Sequence, residues 1–267
     1  MKLSPRHFRA SQAAFTMMEI AICLAIIGIA LLGIIRVLPI GMNVQKDNRE
    51  STVINQDATI FIEAIRNGER GSDDLTNYVY GITNYWAQFN ANGALISSGT
   101  SGYDYYGSFP TPPLFPINKG SRIVGLLSTP KYLALDDQTP VNNLANGGYS
   151  NHFVAYVHSL SGPAVEKPPQ DNDLLRGDSF SYRIICENTA LETDTNMLNM
   201  PFNKQLAANL RELRLTFLWP QQPNGALGAG RQTYRTLADG QITQTNDNSI
   251  TLYFFQPQSF TNAPPSP

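Results

Sequence analysis

Between Thr16 and Ile35 the chain carries one charged side chain, Glu19, in a run otherwise made of Ile, Leu, Ala, Met, Gly and Cys. Phe15 to Ile35 is 21 residues, which as a helix rises about 31 Å and matches a hydrocarbon core of about 30 Å. This stretch cannot be a strand of an ordinary soluble sheet. It has to lie in lipid or against other apolar helices. An acid in such a helix costs roughly 2.5–3.5 kcal/mol at mid-span and less near an end. A sequence that keeps it has a use or a partner for it.

The residues before the run are short and basic. Lys2, Arg6 and Arg9 are positive, and no acid precedes Glu19. Cationic flanks hold that end in the cytoplasm. Three kinds of segment share this layout. A secretory signal peptide needs a small-x-small cleavage site after the apolar core, but Arg36-Val37-Leu38-Pro39-Ile40 follows. Its lipoprotein variant is disfavoured because Ile22, before Cys23, is too large. A plain signal anchor fits the length but does not explain Glu19.

The third kind is a class III prepilin signal. Ala14 followed by Phe15-Thr16-Met17-Met18-Glu19 and an apolar helix resembles the amino terminus of type IV pilins and type II secretion pseudopilins. Their shared pattern is a small residue, then Phe-Thr-Leu-Ile-Glu. The family normally has Gly before the cut, and Ala14 is the smallest alternative. The resemblance implies a cut between Ala14 and Phe15 by a prepilin peptidase, and N-methylation of the Phe15 amine. It also implies that Glu19 meets the Phe15 amine of a neighbouring subunit and sets the axial register. A carboxylate–ammonium pair relieves the burial cost of each group alone. The plainer reading of Glu19 is that it reaches the cytoplasmic headgroups. The resemblance is specific over about Ala14 to Gly41. Within it, Ala30-Leu31-Leu32-Gly33-Ile34-Ile35 looks most like the minor pilin and minor pseudopilin subgroup. Further on, Arg122 to Pro130 and Leu213 to Pro220 look like large pilin-like proteins found in multiples in some environmental bacteria.

The helix should continue past the membrane. Val53, Ile54, Ile60, Phe61, Ala64 and Ile65 place apolar groups on one broad face between Gln45 and Arg66. Asn67-Gly68 is a C-terminal stop, giving a helix of roughly 77 Å from Phe15. Pro39 should bend it or remove one hydrogen bond near Ile35 and Arg36. Gly28, Gly33 and Gly41 either loosen the helix further or allow close helix packing.

The remainder is poor in charge, at 15% of 267 residues, and rich in Tyr, Phe, Asn, Thr, Gly and Pro. That composition points to a β-rich domain. Loss of residues 1–14 would remove three positive charges and leave a net charge near -5, so no nucleic-acid partner is expected. Asn67 to Asn118 reads as a variable loop region, with Phe109 to Pro116 unable to form regular helix. Strands are expected at Arg122–Ser128, Phe153–Val157, Ser179–Glu187, Leu213–Trp219 and Ile250–Gln256, with Gln232–Leu237 as hairpin partner to Leu213–Trp219 across a Pro220–Gly230 connection. Leu213, Leu215, Phe217 and Trp219 should share a core face. Pro201 to Leu210 reads as a short helix, and residues 262–267 as a loose tail.

Chemistry-bearing motifs are sparse. No Gly-x-Ser-x-Gly, phosphate-binding Gly loop, His-Glu-x-x-His or Cys-x-x-Cys occurs. His152 and His158 make an incomplete metal site. Asp171, Asp173 and Asp178 resemble a calcium loop in charge only, without its spacing or closing Glu. Cys23 and Cys186 fall in different compartments and should not pair; Cys186 reads as a small buried apolar residue.

The expected fold is α+β: a long N-terminal helix, transmembrane in its first half, packed on an antiparallel sheet. The organisation is a 1–14 leader, a 15–41 transmembrane half, a 42–67 amphipathic half, a 68–120 loop region, a 121–261 sheet domain and a 262–267 tail. Together with the resemblance, this implies a minor pilin or pseudopilin without catalysis, cofactor or metal. Its implied partners are other subunits, the prepilin peptidase, the assembly platform and membrane lipid. The alternative is a membrane-anchored periplasmic binding or adhesion module that does not assemble.

Overall fold

The structure, a computed structural model, describes residues 16–68, 73–104, 115–161, 180–191, 206, 208–247, 250–257 and 259–260, with backbone only at 115 and 116. The 1–14 leader, Ala14, Phe15, Asp171, Asp173, Asp178 and the 262–267 tail lie outside the described residues. The chain divides into two compact units, Met1–Ser51 and Thr52–Pro267. Helix α1, Met17–Arg66, begins in the first and ends in the second.

In the first unit every residue from Thr16 to Arg49 except Gly28 is exposed. Ile29 is 72% and Leu32 70% exposed, a surface that water does not tolerate over such a length. An 18-residue window reaches a mean hydropathy of 2.8, none of it buried. By length and composition this helix can span a membrane. The helical stretch runs through Pro39 without interruption, although Pro39 cannot donate to the Ile35 carbonyl.

In the second unit the rule changes. Ile54, Ala58, Phe61 and Ile65 on α1 are fully buried, and so is Asp57. Val53 and Ala64 are only half-buried and Ile60 is 40% exposed, so the covered stripe is narrower than the sequence pattern suggests. α1 stops where expected: Gly68 adopts φ +69° and donates its N–H to the Ile65 carbonyl at 3.3 Å. A Cβ at Gly68 would lie 2.7 Å from the Phe255 carbonyl oxygen. Glycine is therefore required both for its backbone angle and for space.

The main sheet comprises β1 (Val79–Phe89), β2 (Leu95–Asp104), β3 (Phe115–Pro116), β4 (Tyr132–Leu133), β5 (Gly148–His158), β6 (Ser181–Ala190), β7 (Leu210–Gln221) and β8 (Leu227–Asp239). Its order is β3-β2-β1-β5-β6-β7-β8, with β4 paired to β5. All pairings are antiparallel except β2 with β3. β9 (Gln241–Asp247) and β10 (Ile250–Gln256) form a separate two-stranded sheet. The chain is thus α+β.

Alternation along the strands builds the core. Leu213, Leu215 and Phe217 on β7 are fully buried and Trp219 is 8% exposed. Register places Leu215 opposite Cys186 and Phe217 opposite Ile184, and Phe153 opposite Cys186 in turn. One apolar face therefore runs continuously across β5, β6 and β7. Each such buried side chain contributes about 1.5–3 kcal/mol. α1 from Ile54 onward covers one part of this face. A second helix, α2 (Gly120–Leu127), packs close to β10, where a Cβ at Gly125 would lie 2.8 Å from the Leu252 Cβ.

Several expectations need correction. Arg122–Ser128 is not a strand but lies in and just after α2. Its apolar residues are buried all round, as Ile123, Val124, Leu126 and Leu127 show. Ser121, Arg122 and Gly125 do form a polar and small side, but the helix has only 8 residues, and a short apolar run is ambiguous. The 68–120 region is not mainly loop. It contains the β1–β2 hairpin, turned by Asn90, whose Oδ1 accepts from the N–H groups of Asn92 and Ala94 at 2.9 Å each, and by Gly93 at φ +75°. Tyr and Thr there act as strand formers rather than loop markers. The connection after Trp219 is shorter than Pro220–Gly230, because β7 runs to Gln221 and β8 starts at Leu227. A register shift at Trp219/Gln221 absorbs Pro220. Ile250–Gln256 is a strand with those bounds, but it pairs with β9 outside the main sheet. Of the expected 201–210 helix, residues 206, 208 and 209 are helical and Leu210 already opens β7.

Candidate functional site

The amino-terminal turn of α1 carries the sequence's most specific signal. Glu19 Oε2 accepts from the Thr16 N–H at 3.2 Å and from the Thr16 hydroxyl at 3.1 Å, and the Glu19 N–H donates to Thr16 Oγ1 at 3.3 Å. This is a reciprocal capping box. It satisfies backbone donors that a helix start leaves open, and it sets a negative group at the positive end of the helix dipole. The sequence signal was present as Thr-x-x-Glu, but attention to the charge of Glu19 hid it. Glu19 thus has a local task besides any contact with a second chain. Ala14 and Phe15 fall outside the described residues.

Farther along, Gly28, Gly33 and Gly41 have nothing within 4 Å of an added Cβ. Among the described residues, then, no neighbour makes them necessary. Gly33 lies in a shallow, almost wholly apolar groove with Ala30, Ile34, Val37 and Leu38.

In the second unit α1 is tied to the sheet by a group the sequence reading missed. Asp57 is fully buried. Its Oδ2 accepts from the Leu160 N–H at 3.0 Å and the Tyr182 hydroxyl at 2.8 Å, and its Oδ1 from the Ser161 hydroxyl at 2.5 Å. Burial raises its pKa above the ordinary carboxylate value, against the pull of these donors. Burial, followed by the Asp57 charge, pushes the Tyr182 phenol well up. The clue was spacing: Asp57 sits three residues after Ile54 and four before Phe61, squarely on the apolar stripe. Asn55 adds contacts to β8, accepting from Gln232 Nε2 at 3.2 Å and from the Tyr234 hydroxyl.

His152 and His158 are not brought to one centre. His158 is buried, its Nδ1 bonded to Ser181 Oγ at 2.8 Å, with its ring 4.6 Å from that of Tyr80. His152 instead neighbours Tyr85, at 6.5 Å between rings. Among the described residues no group of three His, Cys, Asp or Glu is placed to hold a metal. Both cysteines are free thiols. The Cys186 S–H donates to the Leu127 carbonyl at 2.9 Å, and burial pushes its pKa up, so it packs rather than reacts. Two of the other acids support local structure: Asp73 accepts from the Gly120 N–H at 3.3 Å, and Asp247 from Arg122 Nε at 2.7 Å.

No protein-family model, curated protein or solved structure matches this chain.

Proposed function

We propose that this chain is a prepilin-like structural subunit, a minor pilin or minor pseudopilin. A prepilin peptidase cuts between Ala14 and Phe15 and methylates Phe15. The mature chain sits in the inner membrane with its amino terminus cytoplasmic and its sheet domain periplasmic. It then joins a type IV pilus or a type II secretion pseudopilus through helix packing with other subunits, delivered by the inner-membrane assembly platform. It performs no catalysis in this role.

The observation that carries the reading is a bare apolar helix beginning with an acid. All its large side chains from Met17 to Val44 are exposed, and its one early charge is fixed in the first turn by Thr16. Lipid accounts for the apolar surface before assembly, and neighbouring copies account for it afterwards. The glycines without neighbours support close approach of another helix.

Two measurements test this. The mature protein extracted from membranes should begin at Phe15, N-methylated, by amino-terminal sequencing; any other start removes the prepilin reading. Glu19→Gln separates the two tasks of Glu19. Gln at the third helical position still completes the capping box but carries no charge. If register depends on charge, Glu19→Gln and Glu19→Ala both spare cleavage and both fail to enter fibres. Normal incorporation of Glu19→Gln leaves Glu19 as a cap only.

A further inference from the structure

The sheet face that forms the core changes character at one end. Along β1 the inward residues run Ile82, Asn84, Trp86, and along β5 they run from Val157 through Ala155 and Phe153 to Asn151, with Asn84 opposite Phe153 and Trp86 opposite Asn151. Aliphatic side chains give way to amides and an indole. There the face opens into a cleft of about 390 Å³ between the sheet, α2, β10 and the segment around Gln138. Trp86, Tyr103, Tyr253, Asn84, Asn151 and Gln138 are among its walls, and among the described residues no Asp, Glu, Lys or Arg lines it.

The walls are fixed in place. Asn84 Nδ2 donates to Asn151 Oδ1 at 2.9 Å, and Asn84 Oδ1 accepts from the His152 N–H at 3.2 Å. Asn151 Nδ2, shielded from water, has no hydrogen-bond partner among the described residues. The Trp86 indole lies flat on β2: a Cβ at Gly99 would stand 2.7 Å from its Cζ2, so only glycine leaves room for the ring. Gln138 is held at φ 54°, where a non-glycine residue stays only if its surroundings hold it. Its carbonyl accepts from the Tyr253 hydroxyl at 2.8 Å.

A flat aromatic face, fixed amides and no charge together suit a ligand that is neutral, rich in hydroxyls and apolar on one side. The electron-rich ring face attracts the weakly positive C–H groups of such a molecule. The volume is at the small end of ligand pockets, about 300–1,000 Å³. We propose that this cleft binds a neutral saccharide of one or two pyranose units, stacked on Trp86 and hydrogen-bonded by the Asn84–Asn151 pair. The proposal is independent of fibre assembly.

Full-length protein in lipid nanodiscs, free of glycoside detergent, is titrated with maltose and with diacetylchitobiose up to about 10 mM. Saturation-transfer NMR and indole fluorescence are followed. At least one sugar should give saturable transfer and a change in indole emission. Trp86→Ala should weaken it about tenfold or more, and Tyr85→Ala should leave it unchanged. Where Trp86→Ala does not fold, Gly99→Ala lifts the indole from its bed without removing it, and binding should weaken likewise. Absence of transfer from both sugars overturns the proposal, as does transfer unaffected by the folded variant. Equal binding of a neutral Gly-Ser peptide of similar size overturns the saccharide assignment.

Discussion

The two stretches of α1 follow opposite rules. From Met17 to Val44 the helix exposes all its large apolar side chains. From Ile54 it is polar outside, with one buried stripe that includes an acid. The large apolar side chains of the first stretch all stay exposed, whereas the second is a working part of a folded core. Truncating a side chain in one should therefore disturb association, and truncating one in the other should disturb folding.

Phe61→Ala should show the largest effect. It empties a fully buried site and should cost about 3–5 kcal/mol of sheet-domain stability, read by denaturant unfolding of the micelle-bound protein. Ile29→Ala, at a residue 72% exposed, should change that stability by less than about 0.5 kcal/mol while reducing cross-linking between copies. Equal losses of stability in both variants would erase the distinction.

Asp57→Ala comes next, at about 2–4 kcal/mol, because three donors lose their shared acceptor. Its titration has a definite sign. The folded pKa lies above the unfolded value, so between the two values the folded state holds more protons. The cost of burying the charge is present in full above the folded pKa and fades as pH falls through it. Wild type should therefore gain stability relative to Asp57→Asn as pH drops from neutral toward about 4. A thermal-melt series on both proteins measures this, and a difference that stays flat or has the opposite slope removes burial as the dominant cause.

The smallest effect concerns the end of the second stretch. Gly68→Ala forces a side chain onto φ +69° and within 2.7 Å of the Phe255 oxygen, and should cost about 1–3 kcal/mol. The equivalent change at Gly33, which has open space around it, should leave the melt of the sheet domain unaltered. It should weaken fibre entry if close packing there is needed.

These contrasts also show which parts were legible in sequence. β7 announces itself because one of its faces is core and alternation survives in Leu213, Leu215, Phe217 and Trp219. α2 is hidden because its 8 residues are too short a run for the helical period to be told from a strand. β1 was obscured by Asn, Tyr and Gly, residues counted as loop that serve as strand where the sheet turns into a cleft. Asp57 was passed over because an acid in an amphipathic helix is expected to face water. Thr16 was overlooked because the charge of Glu19 explained that residue well enough without a local partner.

β10 has a further consequence. Ile250, Leu252, Tyr253, Phe254 and Phe255 are all buried, and they lie against parts of the chain made much earlier, α2 and the end of α1 among them. Those early segments therefore wait, half finished, until β10 has been synthesised. During that interval their apolar surfaces are open to helper proteins and to proteases. Closure of this hairpin sets the moment at which the domain becomes safe to handle.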